Sequence, residues 1–230
     1  MIGLGVVIGT LNGTLVTRLG IPSFIVTLAA LTAYRSAALV VSGQKPSVTQ
    51  GEGLFYTLTG GSIGPVPWLI VGLALVGVVG VVLSTTKFGY HVYATGGNIE
   101  AARNSGIDTA RVKVVCFALT SGLCGLVAGL LWGYLHTAAP VTGTGFEFRV
   151  IGAVIVGGVL LSGGRGTIYG SLVGAVIIGM ITSGLVLLSF SQDIGDVATG
   201  LLIVAVGTFD LIARRTATRG LVLIGGSRES

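Results

Sequence analysis

Charge is what this sequence has least of. Only 9% of its 230 residues are Asp, Glu, Lys or Arg, where a soluble domain carries about 25%. That deficit excludes a solvated globular surface. With 52% hydrophobic residues and a strongly positive mean hydropathy, it places the chain in a membrane. Cysteine is almost as scarce. Cys116 and Cys124 fall in one predicted helix. Their spacing puts them about 12 Å apart, beyond the ~7 Å reach of a disulfide, so both are read as packing residues. Met1 runs straight into apolar sequence with no basic leader, so no cleavable signal peptide is expected. Catalytic sets are also missing. His91 and His136 fall on opposite sides of the predicted topology and cannot share a metal. No Ser/His/Asp or Cys/His grouping has workable spacing. There is no Gly-x-x-x-x-Gly-Lys-Ser/Thr phosphate loop, so the chain itself does not bind ATP by that motif. No catalytic residue, metal or cofactor is expected.

Glycine is what the chain has in excess, 40 residues without collagen periodicity, as in closely packed transmembrane helices. Crossing a bilayer takes about 20 apolar residues. The expected fold is an all-α, polytopic membrane helix bundle forming a single domain over 1–230. About seven spans are predicted, at 1–18, 22–42, 66–85, 112–135, 148–162 (short), 167–189 and 196–212. Gly5, Gly9 and Gly13 lay a bare stripe along the first span. Ser121, Gly125, Gly129 and Gly133 do so along the fourth. Gly170 with Gly174, then Ala175, Gly179 and Ser183, do so along the sixth. These rows are read as helix contacts rather than substrate contacts. Pro22 suits the first turn of the second span. Residues 43–65 form a Gly-, Ser-, Thr- and Pro-rich loop with room for a short helix at Leu54 to Leu58. Gly163-Gly164-Arg165-Gly166 superficially resembles a phosphate cradle, but it lies between two spans and is read as a tight turn.

The basic residues give orientation. Alternating seven spans puts Arg18, Lys87, Arg103, Arg111, Lys113, Arg165, Arg214, Arg215, Arg219 and Arg228 on one side. Lys45 and Arg149 fall on the other, with Arg35 inside a span near it. The heavily basic side is cytoplasmic. The outer side then holds Glu52, His136, Glu147, Asp193 and Asp196. Glu147 and Arg149 are placed to pair with each other or with a partner, and the two aspartates to cap the last span. The net charge of +5 is spread over separate loops and is no nucleic-acid signal.

The longest polar passage between two apolar segments is the stretch from Gly96 to Asp108, within a cytoplasmic loop at 90–111. Asn98 is a good N-cap. Glu100 in the first turn and Arg103 near the end suit the helix dipole. Gly106 is placed to stop the helix in a left-handed conformation, and Asp108 to cap the next one. Ala101, Ala102 and Ser105 keep one face small enough to enter a groove on another protein. The plain alternative is an ordinary connector.

Gly97-Asn98-x-Glu100-Ala101-Ala102-Arg103-x-x-Gly106-Ile107 resembles the cytoplasmic coupling loop of the ribose- and xylose-type permeases of ATP-binding-cassette importers. Asn12-Gly13, Ile21-Pro22-Ser23-Phe24-Ile25-Val26-Thr27-Leu28, Tyr34-Arg35-Ser36, Phe88-Gly89, Tyr93-Ala94, Gly145-Phe146-Glu147, Ile151 to Gly158 and Gly163-Gly164-Arg165-Gly166-Thr167 follow the same family in order. The resemblance therefore covers nearly the whole chain. It departs from the family at Arg149, where an acidic residue is common. It also lacks the first few helices that members usually carry, which suggests a misplaced start, a truncation or a fragment.

The resemblance implies a permease subunit in a bacterial-type cytoplasmic (inner) membrane, multi-pass and in contact with lipid. It implies a second permease copy, an ATPase subunit that binds the ATP, and an extracytoplasmic sugar-binding protein. It implies that Gly97, Asn98, Glu100, Ala101, Ala102, Arg103 and Gly106 couple to the ATPase, with residues 213–230 as a cytoplasmic tail. Asn12 and Arg35 are the candidate substrate-path residues. Against them stand inter-helix hydrogen bonding for Asn12 and snorkelling to the outer interface for Arg35. Rival readings are a branched-chain amino-acid permease of the same class, an inactive truncated permease, and an ion-coupled carrier, which would usually need a mid-membrane carboxylate.

Overall fold

The computed structural model describes residues 1–48, 66–160 and 163–190, and parts of 194–208. The expected helix at Leu54 to Leu58, Glu52, Asp193, Asp196, most of the span at 196–212 and the tail at 213–230 lie outside the described residues. Among the described residues the architecture is all-α apart from two two-residue strands. It divides into two compact units, Met1–Gly143 and Thr144–Ser230.

In the first unit, α1 (Ile2–Leu19) and α2 (Ser23–Val41) are joined by a short turn at Gly20 to Pro22. Strand β1 (Ser47–Val48) follows, then α3 (Val66–Thr85), α4 (Lys87–Gly97), α5 (Ile99–Asn104), α6 (Thr109–Leu135) and strand β2 (Thr137–Ala138). The unit is built on α1 against α6, running in opposite directions. The predicted glycine stripe makes this contact. A methyl group on Gly5 would run into the Ser121 carbonyl, one on Gly9 into the Phe117 carbonyl, and one on Gly13 would lie 2.9 Å from the Val114 Cα. The backbones touch because no side chain intervenes, which is how helices associate where lipid tails compete equally for apolar surface. Gly125 of the fourth-span row also belongs to the contact, where a methyl group would lie 2.7 Å from the Met1 carbonyl oxygen. Thr10, Thr14 and Thr17 return their hydroxyl protons to carbonyls of their own helix, so none is left unpaired in the apolar surroundings.

The α1–α2 turn, α5 and the start of α6 lie together at one end of this unit. At the other end, β1 and β2 pair antiparallel, Ser47 with Ala138 and Val48 with Thr137. Arg18, Arg103 and Lys113 thus share one end, while Lys45 and His136 share the opposite one, as the charge pattern predicted. α2 buries only Val26, and Phe24, Val40 and Val41 are largely exposed. Such a face is one that a bilayer or neighbouring helices cover.

In the second unit, α7 (Phe146–Val156) packs on α8 (Ile168–Leu187). Gly174 meets the Ala153 carbonyl, and Gly157 and Gly170 meet each other's carbonyls. The Gly163–Gly166 turn is confirmed. The Leu160 N–H donates to the Arg165 carbonyl at 3.1 Å, and Gly163 and Gly164 both have positive φ.

Among the described residues four helices are long and apolar enough to cross a membrane, or five if the bent pair α3–α4 is one span. Within the predicted fifth span, 148–162, the helix is short. α7 has 11 residues, about 16 Å against a hydrocarbon core of ~30 Å. Gly158 at φ 80° ends it, with its N–H on the Ile155 carbonyl and the Val159 N–H on the Val154 carbonyl. The apolar run continues through this stop, so hydropathy alone overlooked it. The second unexpected element is α4, set at 77° to α3. Thr86 makes the corner. Its hydroxyl donates to the Val82 carbonyl at 2.6 Å and accepts from the Gly89 N–H, closing one helix and capping the next.

Candidate functional site: a capped helix at the basic end

The stretch singled out in the sequence folds into a helix of six residues, α5, set between two longer ones. Each punctuation residue acts as expected. The Asn98 side chain accepts from the Ala101 N–H at 3.0 Å, satisfying a first-turn donor. Glu100 stands in the first turn and Arg103 in the last. Gly106 takes φ 82°. Its N–H reaches the Arg103 carbonyl at 2.9 Å, and the Ile107 N–H reaches back to the Ala102 carbonyl at 3.0 Å. This pair of bonds is the left-handed helix stop that glycine permits without a Cβ penalty. Asp108 then caps α6 by accepting from the Arg111 N–H at 3.0 Å, and its carboxylate lies 4.0 Å from the Arg111 guanidinium.

Two contacts seat this helix that the sequence did not reveal. Ala102 is 4% exposed and forms a small core with Ile107 and Val112, backed by Val92, Ala94 and Cys116. The Arg103 Nε donates to the Thr109 hydroxyl at 3.0 Å, and Thr109 is itself buried. The only sequence signal for these was the apolar Ile107 just beyond the glycine stop. Ala102 was expected on the free small face. It turns inward instead, because the left-handed stop folds Ile107 back over it. The outward face consists of Asn98, Ile99, Glu100, Ala101, Arg103, Asn104 and Ser105, all exposed. Gly97 ends α4, and Gly106 is exposed at the turn.

The two candidate path residues lie elsewhere and are not brought together with α5. Asn12 is buried in α1, and its side-chain oxygen accepts from the Tyr34 hydroxyl of α2 at 3.1 Å. Both line a groove of about 360 Å³ between these helices, walled otherwise by aliphatic side chains such as Leu15, Ile25 and Ala30. Arg35, next to Tyr34, is half-buried, and no partner for it is seen among the described residues. In the second unit the Arg149 guanidinium lies over the Phe146 ring, 5.7 Å from its centre.

A family model described as "Branched-chain amino acid transport system / permease component" matches residues 1–207. The chain is 40% identical over 195 residues to a ribose import permease protein of Bacillus subtilis (strain 168), covering 84% of this chain and 60% of that one. It is 35% identical over 213 residues to an autoinducer 2 import system permease protein of Photorhabdus luminescens, covering 90% and 62%. It is 34% identical over 220 residues to the protein of the same description in Salmonella choleraesuis (strain SC-B67), covering 95% and 63%. The chain thus spans about three-fifths of the length of these curated relatives. No solved structure matches it.

Proposed function

The chain belongs to the family of branched-chain amino acid transport system permease components, and from that premise we propose that it is the membrane-spanning permease subunit of an ATP-driven importer for a monosaccharide or related sugar. The reading of the substrate rests on the relatives, which are named for the import of ribose and of autoinducer 2. The family's own description favours a second reading, import of a branched-chain amino acid.

In this proposal the basic end faces the cytoplasm of a bacterial-type inner membrane. α5 is the coupling element, and its outward face enters a cleft of an ATPase subunit. The observation that supports this most is the construction of the helix. Six residues, too few to hold a helix alone, are fixed by a cap at one end, a left-handed stop at the other, and the single inward side chain of Ala102. A free helix so short would not hold its shape in water, whereas this one is rigid enough to carry a push. Asn98 and Gly106 set its ends, Gly97 links it to α4, and Glu100, Ala101 and Arg103 present its surface. A movement of the ATPase would pass through Ala102 and Ile107 to α6, and through α6 to the α1 backbone packed on it. The subunit does no covalent chemistry. It couples the binding of substrate on one face to the state of the ATPase on the other through a bundle with two arrangements. An extracytoplasmic binding protein and a second permease copy complete the assembly.

The test is reconstitution with the ATPase and binding protein encoded beside it. ATP-dependent uptake of labelled ribose into proteoliposomes is the expected result. Uptake of leucine but not of ribose or other sugars would move the assignment to the second reading. Uptake of neither, with the complex intact, would defeat both.

A further inference from the structure

Where the α1–α2 turn meets the start of α6, the first unit forms a half-open cavity of about 540 Å³, within the size range of small-ligand sites. Two cations, Arg103 and Lys113, reach it, together with Ser23 at the start of α2. The rest of the lining includes the apolar side chains of Ile21, Phe24 and Phe117, Phe117 one turn along the same helix from Lys113. Among the described residues no carboxylate lines it. Its charge balance differs from that of its surroundings. Arg111, two residues before Lys113, stands beside Asp108. Lys113 has no acceptor among the described residues, and Arg103 reaches only the Thr109 hydroxyl with its Nε. Lys113 also stands in the second turn of a 27-residue helix, near the end where the helix dipole favours anions over cations. Among the described residues no acidic side chain pairs with Arg103 or Lys113.

The cavity is half charged and half apolar, and it lies at the end of the transmembrane helices, beside an α2 whose sides are exposed. A free anion would satisfy the cations but leave Phe24 and Phe117 against water. A phospholipid satisfies both kinds of lining, with its phosphate on Arg103 and Lys113 and the first part of its acyl chains along Ile21 and Phe24. We propose that this cavity holds the headgroup of an anionic phospholipid from the leaflet at the α5 end. Basic pockets between transmembrane helices at a membrane surface take such headgroups. Because Arg103 lies on α5 and Lys113 on α6, a bound lipid ties the short helix to the membrane plane. The inference does not depend on the ATPase, so it is tested on the permease alone.

The purified chain is placed in nanodiscs of equal phosphatidylglycerol and phosphatidylethanolamine, extracted gently, and weighed by native mass spectrometry. The wild type is expected to retain phosphatidylglycerol in preference. Lys113→Gln should lower that retention about fivefold, the share of one lysine at an anionic surface. Lys113→Arg should restore it, and Arg111→Gln should leave it unchanged. Equal retention of the two lipids by the wild type would overturn the proposal, as would wild-type retention in Lys113→Gln. If Lys113→Gln is not monodisperse, the salt response of the wild type decides. The preference should fall as salt screens the cations, and a preference indifferent to salt would overturn the proposal. Labelled inorganic phosphate that stays bound in phosphatidylglycerol micelles would reassign the cavity to a free anion.

Discussion

Ala102 and Ile107 close on each other across the end of α5. The Ile107 N–H donates to the Ala102 carbonyl at 3.0 Å, and both side chains are buried, at 4% and 8% exposure. Ala102 therefore holds the helix to α6, and the outward neighbour Ala101 is the residue a partner would meet. The two alanines should respond oppositely to bulk. Ala102→Trp overfills a small core and should destabilise the permease itself by about 1–3 kcal/mol or more. Ala101→Trp should leave thermal unfolding within about 0.5 kcal/mol of wild type while sharply lowering assembly with the ATPase or substrate-stimulated hydrolysis. Asn104→Ala, with neither a cap nor a packing role, is the control. Normal stoichiometry and normal hydrolysis in Ala101→Trp would reduce α5 to a connector.

Gly106 separates the shape of the helix from its surface. At φ 82° a β-branched side chain is strained, by about 1–3 kcal/mol. Gly106→Val should therefore break the Ile107–Ala102 bond and loosen α5 without touching the bilayer. Hydrogen exchange at the Ile107 amide should speed up, and membrane insertion should be unchanged. An amide as protected as in wild type would show that α5 does not depend on this stop.

The contact between α1 and α6 predicts a steep difference between glycines of one helix. Gly9→Ala puts a methyl group against the Phe117 carbonyl, a backbone atom that cannot swing aside. It should cost about 1–3 kcal/mol and shift the chain toward aggregates on gel filtration. Gly3, on the same helix, has open space where its Cβ would be. Gly3→Ala should be neutral or gain up to about 1 kcal/mol from helix propensity. Equal behaviour of the two would mean that α1 packs elsewhere.

What was legible in the sequence was local. Asn98, Gly106 and Asp108 announce caps and stops through chemistry that acts within four residues, and the structure realises each one. The glycine stripe of α1 was legible as a face, but periodicity does not name the partner, so its fit to Val114, Phe117 and Ser121 had to be seen. The inward turn of Ala102 was illegible for the same reason, since a small residue looks alike on a free face and a buried one. Hydropathy failed at Gly158, because a left-handed glycine ends α7 inside an unbroken apolar run. It failed again at Thr86, where one hydroxyl turns the chain through 77° and leaves a second helix in what read as loop.

Asn12 illustrates the limit for function. The sequence offered it both as a sugar ligand and as an inter-helix partner. Its oxygen accepts from Tyr34, which favours the second. Tyr34→Phe and Asn12→Ala should each cost about 0.5–1.5 kcal/mol, and the double variant should cost little more than either alone, since both remove one bond. The KM for uptake should be unmoved in Tyr34→Phe. Additive losses, or a KM shift of tenfold, would return Asn12 to the substrate path.

The pairing of Ser47 with Ala138 gives a test of orientation and fold together. It joins the end of the α2 segment to the end of α6 at the face opposite α5. Directly opposed residues in an antiparallel pair have Cα atoms about 4.5–5.5 Å apart, inside the ~4.4–6.8 Å window of a disulfide. With Cys116 and Cys124 replaced, Ser47→Cys combined with Ala138→Cys should cross-link spontaneously in cells if this face is extracytoplasmic, because disulfides persist only in oxidising compartments. Ser47→Cys with Ser105→Cys should not, as the two positions sit at opposite ends of the first unit. In the same background a lone cysteine at Lys45 should react with an impermeant thiol reagent from outside, and one at Ser105 only after the membrane is opened. Cross-linking of the first pair only after cell lysis and oxidation, together with outside labelling of Ser105, would keep the fold and invert the orientation. It would also remove α5 from the reach of any cytoplasmic ATPase.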